Sequence, residues 1–167
     1  MKISKLIILL VIVAMASSIA QTKSTTSKSK TVKKTEPVEQ YVPPPPPPPA
    51  KDGVLIHLSS GMDSPQRVLM ALTMGLKMAD DHDVYIYIDI SAVHIVLNNS
   101  KSLEMPKFEP SKILIDKILN KGVRIAVCPT CLESANKTQY DLMKGIKLAN
   151  KNDFFDFTQG RILTLDY

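Results

Sequence analysis

The chain has 167 residues, a formal net charge of +5, two cysteines and twelve prolines, which suits one ordinary domain and excludes a disulfide-dense mini-protein. Residues 1–51 hold eight lysines and two glutamates, a net +6, whereas residues 52–167 hold 13 basic and 14 acidic side chains. The part that can fold is therefore almost neutral, which disfavours a basic nucleic-acid groove.

The N-terminus has the pattern of a secretory signal. Lys2 and Lys5 precede an apolar run over residues 6–16, and small residues follow at Ser18 and Ala20. This pattern predicts a signal peptide over residues 1–20, cleaved after Ala20, and hence a periplasmic or secreted protein. The alternative is an uncleaved anchor, but the apolar run is shorter than the roughly 20 residues that span a bilayer.

Residues 21–51 are predicted to be a disordered tether. They are rich in Ser, Thr, Lys and Pro, and seven consecutive prolines occupy positions 43–49. Such a run favours a polyproline II rod of about 22 Å. The main interpretation is a stiff spacer. The alternative is a ligand for a proline-binding partner or a contact with anionic lipid, so any membrane contact is expected through this tether alone.

Residues 52–167 alternate strand and helix patterns. Ser64 and Pro65 open the first helix, and Gly122 stands where the second long helix ends. Strands are predicted over residues 54–58, 84–90, 123–127, 145–149 and 162–165, and helices or helical turns over 65–79, 92–97, 111–121, 139–143 and 153–157. This alternation predicts an α/β fold, a three-layer α/β/α sandwich with a mainly parallel five-stranded sheet.

Three loops are expected at the carboxyl edge of this sheet, where ligands of parallel sheets gather: residues 59–64, 89–94 and 128–131. The last loop contains Cys128 and Cys131, the only two cysteines. A thiol at a strand-to-helix junction faces free backbone N–H groups, which favour the thiolate. Pro129 fixes the turn between the two cysteines. We predict that Cys128 and Cys131 are the catalytic residues.

Four interpretations of the cysteine pair are open. The pair is a sulfur-carrying thiol with its partner, a thioredoxin-type dithiol, half of a zinc site, or a structural disulfide. A thioredoxin-like fold keeps a cis-proline downstream of its cysteines, but Pro129 is the last proline of the chain. A second pair of zinc ligands does not recur, so no metal and no cofactor are predicted.

Residues 52–167 resemble the DsrE/DsrF-like family of sulfur-relay proteins. The resemblance rests on four segments. The first is the strand over residues 54–58 with the loop over residues 60–65, and the second is the strand over residues 84–90 followed by Ala92 and Val93. The third is residues 121–131 with their Cys-Pro-Thr-Cys sequence, and the fourth is residues 157–167, which are similar to the end of an exported branch of the family. It covers the whole folded part and none of residues 1–51.

The resemblance implies an α/β/α sandwich that assembles into a homotrimer or hexamer. It also implies that Cys128, at the end of the third strand, carries sulfur as a persulfide, and that Cys131 is a resolving or supporting thiol. The expected partners are a sulfur donor and an acceptor protein. An exported protein does not meet a tRNA-modification pathway, so the partners of cytoplasmic members do not carry over.

Other side chains of the expected rim are weaker candidates. Gly61, Asp63, His94 and Pro129 are predicted to bind substrate, although Asp63 also suits a helix start. His57 fits a hydrogen-bonded core or interface histidine, with a position near the thiol rim as the alternative. Separately, a carboxylate at Asp89 would raise the pKa of a neighbouring thiol.

Overall fold

The structure is a computed structural model that describes residues 42–167. Residues 45–167 form one compact unit. The predicted signal peptide and most of the predicted tether lie outside the described residues. Within the described range, every helix is too short or too polar to cross a membrane.

The strands and helices follow the predicted order. The strands are β1 (Gly53–Leu58), β2 (Asp83–Ile88), β3 (Arg124–Val127), β4 (Lys147–Leu148) and β5 (Ile162–Asp166). The α-helices are α1 (Pro65–Met78), α2 (Ser111–Asn120), α3 (Pro129–Ser134) and α4 (Asp153–Asp156), and two 3-10 helices cover Ile90–Val96 and Gln139–Asp141. The fold class is therefore α/β, as predicted.

All five strands pair in parallel, in the spatial order β4-β3-β2-β1-β5. The register aligns Ile56 of β1 with Ile86 of β2, and Ile86 with Ile125 of β3. All three side chains are fully buried. Side chains alternate along a strand, so these three isoleucines share one face of the sheet, and that face is apolar. Helices α1 and α2 cover it with buried leucines, isoleucines and a valine: Val68, Leu69, Leu72, Leu114, Ile115 and Ile118.

The opposite face of the sheet has a thinner cover. The Phe154 ring of α4 packs edge-on against Tyr85 and Tyr87 of β2, with centroid distances of 5.5 and 4.9 Å. Arg124 of β3 anchors the same helix through an ion pair with Asp153 at 2.9 Å. Since α4 has only four residues, the third layer leaves His57 and Tyr87 partly exposed beside it.

The helix-end signals of the sequence are found in the structure. Pro65 occupies the first turn of α1, with Ser64 at the N-cap position, although the serine side chain makes no cap hydrogen bond. Gly122 follows α2 with a φ of 80°, a conformation that glycine adopts without strain. Thr138 and Asp141 form the capping box of the second 3-10 helix.

The entry to β1 is clasped to the segment that precedes β5. Thr158 donates from Oγ1 to the Lys51 carbonyl at 2.7 Å, and the Gly53 N–H donates to the Arg161 carbonyl at 2.7 Å. Gly53 packs directly against Thr158, and any side chain at position 53 would collide with it. The clasp fixes where the chain enters the sheet.

Candidate functional site

The three predicted loops meet at the carboxyl edge of the sheet. Ser91 donates from Oγ to the Ser59 carbonyl at 2.8 Å, which joins the first loop to the second. The Cys128 N–H donates to the Ile88 carbonyl at 2.8 Å, which places the third loop beside the second. The parallel topology therefore builds one rim from segments that lie far apart in sequence.

Gly61 and Asp63 hold different positions on this rim. Gly61 is buried against Ser91, where a Cβ would come within 2.8 Å of the Ser91 carbonyl oxygen. Its lack of a side chain allows the first two loops to touch. Asp63 is exposed at the start of α1. Gly61 thus contributes to the shape of the rim, and substrate binding by either residue stays a prediction.

Cys128 directly follows β3 and occupies the N-cap position of α3, half-buried and with a free thiol. Burial disfavours its thiolate, but the backbone N–H of Cys131, the Tyr87 hydroxyl, the Cys131 thiol and the backbone N–H of Thr130 outweigh burial and lower the Cys128 pKa. The neutral thiol itself makes no cap hydrogen bond. The surroundings of Cys128 are therefore arranged for a charged sulfur.

Cys131 lies on the first turn of α3 and has the opposite tendency. The backbone N–H of Ile90 favours its thiolate, but burial, the Cys128 sulfur and the Asp89 carboxylate outweigh that N–H and raise the Cys131 pKa. The rise in thiol pKa that was expected beside the Asp89 carboxylate is thus found at Cys131. Of the two thiols, Cys128 is the one that ionises first and Cys131 the one that keeps its proton.

The Ile90 N–H faces Cys131 because the backbone turns sharply after β2. Ile90 has a φ of 45°, in the left-handed region that β-branched residues rarely adopt, and its side chain is 65% exposed. Little apolar burial offsets the backbone strain at this position. Strain of this kind concentrates at functional sites, where the surrounding structure maintains it.

A cleft of about 360 Å³ opens onto Cys131. It is lined by Ile90, His94, Cys131, Ser134 and Ala135. The volume lies in the range of small-molecule sites. His94 therefore shares a cleft with Cys131, whereas Pro129 lines a smaller one, of about 170 Å³, together with Leu132 and Leu148.

His57 is also a rim residue, as the alternative interpretation had it. Its Nδ1 is hydrogen-bonded to Asp166 Oδ1 at 2.9 Å, and its Nε2 lies 3.0 Å from Asp89 Oδ2, an ion-pair contact whose geometry is not that of a hydrogen bond. Burial disfavours the imidazolium, but the two carboxylates outweigh burial and raise the His57 pKa. The histidine joins β1 to residues at the ends of β2 and β5.

Sequence reasoning missed Tyr87. Its ring centroid lies 5.7 Å from that of His57, and its pKa is raised by burial and by the neighbouring Cys128 sulfur. The signal was present: Tyr87 and Asp89 are alternate residues of one strand end, so they share a face, and the register aligns Tyr87 with Ala126, two residues before Cys128. Only the strand pairing shows that these residues meet.

No group of three His, Cys, Asp or Glu side chains in residues 42–167 is arranged to hold a metal ion. The described site combines two thiols, a tyrosine hydroxyl, backbone N–H groups and two histidine–carboxylate contacts. Such a set can stabilise a thiolate, accept a sulfur atom on it, or exchange with a disulfide.

A five-stranded parallel sheet in this order, with helices on its faces, is an α/β fold of the DsrE-like type. The chain is similar to the crystal structure of the YchN protein from E. coli, with a TM-score of 0.55, 13% identity, and coverage of 69% of this chain and 99% of YchN. It also matches the structure of MTH1491, a protein of unknown function from Methanobacterium thermoautotrophicum, with a TM-score of 0.47, 16% identity, and coverage of 68% and 98%.

No protein-family model and no curated protein sequence matches the chain. At 13% identity, the likeness to YchN shows the fold alone. The resemblance found in the sequence is thus confirmed at the level of the fold, and what the cysteine pair does has to be argued from its own geometry.

Proposed function

We propose that this domain accepts sulfane sulfur on Cys128 as a persulfide and carries it outside the cytoplasm. The observation that carries the proposal is the position of Cys128, a free, half-buried thiol between β3 and α3, where the surroundings lower its pKa and raise that of Cys131. A sulfur carrier needs one thiol that is ionised at neutral pH and open to a donor. The DsrE-like fold supports this function.

The loading step needs no oxidant beyond the donor. The Cys128 thiolate attacks the outer sulfur of a persulfide R–S–SH, a new S–S bond forms at Cys128, and the donor's S–S bond breaks. The electron pair of that bond leaves with R–S⁻. The Tyr87 hydroxyl and the N–H groups of Thr130 and Cys131 are placed to stabilise negative charge on the Cys128 side of the reaction.

The proposed setting is an exported homo-oligomer held on a proline-rich tether, with a separate sulfur donor and acceptor. Apolar side chains on the described surface support an oligomer: Phe155 is 74% exposed, and Ile162 and Leu163 of the edge strand β5 are 42% and 56% exposed. Light scattering of the purified protein tests the assembly, and it is expected to give a trimer or hexamer. A monomer at micromolar concentration would contradict that part.

The loading step is best tested where the second thiol cannot interfere. We expect a Cys131→Ser protein treated with glutathione persulfide to gain about 32 Da, the mass of one sulfur atom, and to lose it to a reductant. A serine hydroxyl still donates toward Cys128. The Cys128→Ser/Cys131→Ser protein is the matched control and is expected to gain nothing. An unmodified Cys131→Ser protein, or equal gains in both, would overturn the proposal.

A second candidate is favoured by the same thiol pair. Cys128 and Cys131 lie three residues apart at the start of α3, a spacing that suits dithiol–disulfide exchange or a structural disulfide in an otherwise non-catalytic binding module. Thiol titration of freshly isolated protein separates these cases. A pair that resists mild reductant favours the structural disulfide, and catalysed reduction of insulin favours the oxidoreductase.

A further inference from the structure

Building on the proposed function, we infer that Cys131 discharges the Cys128 persulfide within the same domain. The sulfur then leaves as hydrogen sulfide, and the domain is left with a Cys128–Cys131 disulfide. The domain then needs a dithiol reductant as its partner, which returns the disulfide to two thiols. It does not need a protein that accepts the sulfur. The inference specifies the product and the partner of the proposed carrier.

The first argument is the position of the two cysteines. Cys128 is the N-cap residue of α3 and Cys131 lies on its first turn, three residues on, so both are at the same end of one short helix. Both belong to the rigid rim that the β3–α3 junction forms with β2. A thiol held next to a persulfide reacts at an effective concentration far above that of any dissolved acceptor. Discharge by Cys131 therefore competes favourably with transfer to another protein.

The second argument is what surrounds Cys131. The Ile90 N–H faces the Cys131 sulfur, held there by a backbone conformation that isoleucine rarely adopts. This N–H offsets part of the effect of burial, Cys128 and Asp89, which disfavour the Cys131 thiolate, the form that attacks. The cleft of about 360 Å³ opens on Cys131, with His94 on its wall. The cleft gives the sulfide an exit and admits a small reductant, and it leaves a path for a proton through His94 or water.

The step balances without an external oxidant. The Cys131 thiolate attacks Cys128 Sγ, a bond forms between the two cysteine sulfurs, and the bond from Cys128 Sγ to the outer sulfur breaks. The outer sulfur leaves with the electron pair as HS⁻, and the proton given up by Cys131 reaches it through His94 or water. The two cysteines are oxidised by two electrons, and the sulfane sulfur is reduced by two. A dithiol then reduces the disulfide.

The experiment compares three full-length proteins after reduction, removal of the reductant and treatment with glutathione persulfide. Intact mass and released sulfide are both measured. We expect the wild type to lose about 2 Da, as a disulfide forms, and to release about one sulfide per subunit, whereas Cys131→Ser gains about 32 Da and releases none. Cys128→Ser gives the background. Dithiothreitol is expected to restore the wild-type thiols for a second round.

The outcomes separate this inference from the proposed function. A wild type that keeps the added sulfur and releases no sulfide, beside a Cys131→Ser protein that is also loaded, overturns the discharge step and leaves the carrier function intact. A disulfide in the wild type without loading of Cys131→Ser means direct oxidation and overturns both. Circular dichroism of each variant confirms folding, and Cys131→Ala replaces the serine variant if that one does not fold.

Discussion

At the scale of single residues, Tyr87 determines much of the character of the site. Its ring packs beside that of His57, and its hydroxyl is one of the groups that lower the Cys128 pKa. The pattern of the sequence was sufficient to place Cys128 and Cys131 at a strand-to-helix junction, and their reactivity stays a prediction. It did not predict Tyr87, because an aromatic residue in a buried strand has the same pattern whether it packs in the core or faces a site.

Replacing Tyr87 by phenylalanine removes one donor to the thiolate and keeps the ring. We therefore expect Tyr87→Phe to raise the Cys128 pKa and to slow alkylation by iodoacetamide at pH 7 several-fold, since a hydrogen bond to a charged group is worth about 1.5–3 kcal/mol. The pH dependence of the alkylation rate in a Cys131→Ser background reports the shift. Tyr140, which is 84% exposed, supplies the control Tyr140→Phe. Identical profiles for both variants would rule out a role for the Tyr87 hydroxyl.

At the scale of elements, the junction between β2 and the first 3-10 helix departs from the prediction. The sequence predicted a strand as far as Ile90, because branched residues continue to that point. The strand ends at Ile88, since Ile90 takes a left-handed backbone conformation and its N–H turns toward Cys131. Hydrophobic periodicity indicates which face of an element a residue occupies. It does not reveal that a single residue other than glycine adopts the left-handed backbone conformation.

The left-handed conformation of Ile90 predicts an unusual order of stability for glycine and alanine at this position. An alanine at position 90 keeps a Cβ in the left-handed conformation, whereas glycine has none. We expect Ile90→Gly to be more stable than Ile90→Ala by about 1 kcal/mol, the reverse of the order in an ordinary helix. Urea unfolding of the two variants measures the difference. A less stable glycine variant would show that the backbone at this position is unstrained.

At the scale of the whole molecule, the sheet brings together what the sequence keeps apart. The alternation of strands and helices was sufficient to predict the parallel sheet and its shared rim. It did not predict that β5 pairs with β1, on the far side from β2, because strand order depends on pairings that periodicity does not encode. That order brings Asp166 to His57, which sits between two carboxylates.

The His57 contacts predict how stability depends on pH. The folded state raises the His57 pKa above its ordinary value near 6.5, so its stabilising contribution is complete below about pH 6.5 and is lost as pH rises through the higher folded pKa. As pH rises through this range, we expect the free energy of unfolding of the wild type to decrease relative to that of His57→Gln, because glutamine does not titrate. Asp166→Asn is expected to weaken the dependence. Parallel profiles for wild type and His57→Gln would contradict it.

The clasp at the start of β1 bears on what happens when the chain is pulled. Strand β1 is bonded on both sides, to β2 and to β5, and all three run in the same direction. A force applied along residues that precede Lys51 therefore acts parallel to both ladders and loads their hydrogen bonds in shear, many at once. The Lys51–Thr158 and Gly53–Arg161 bonds take the load first. Along the axis of β1, the two ladders and these two bonds therefore resist a pull on Lys51 together.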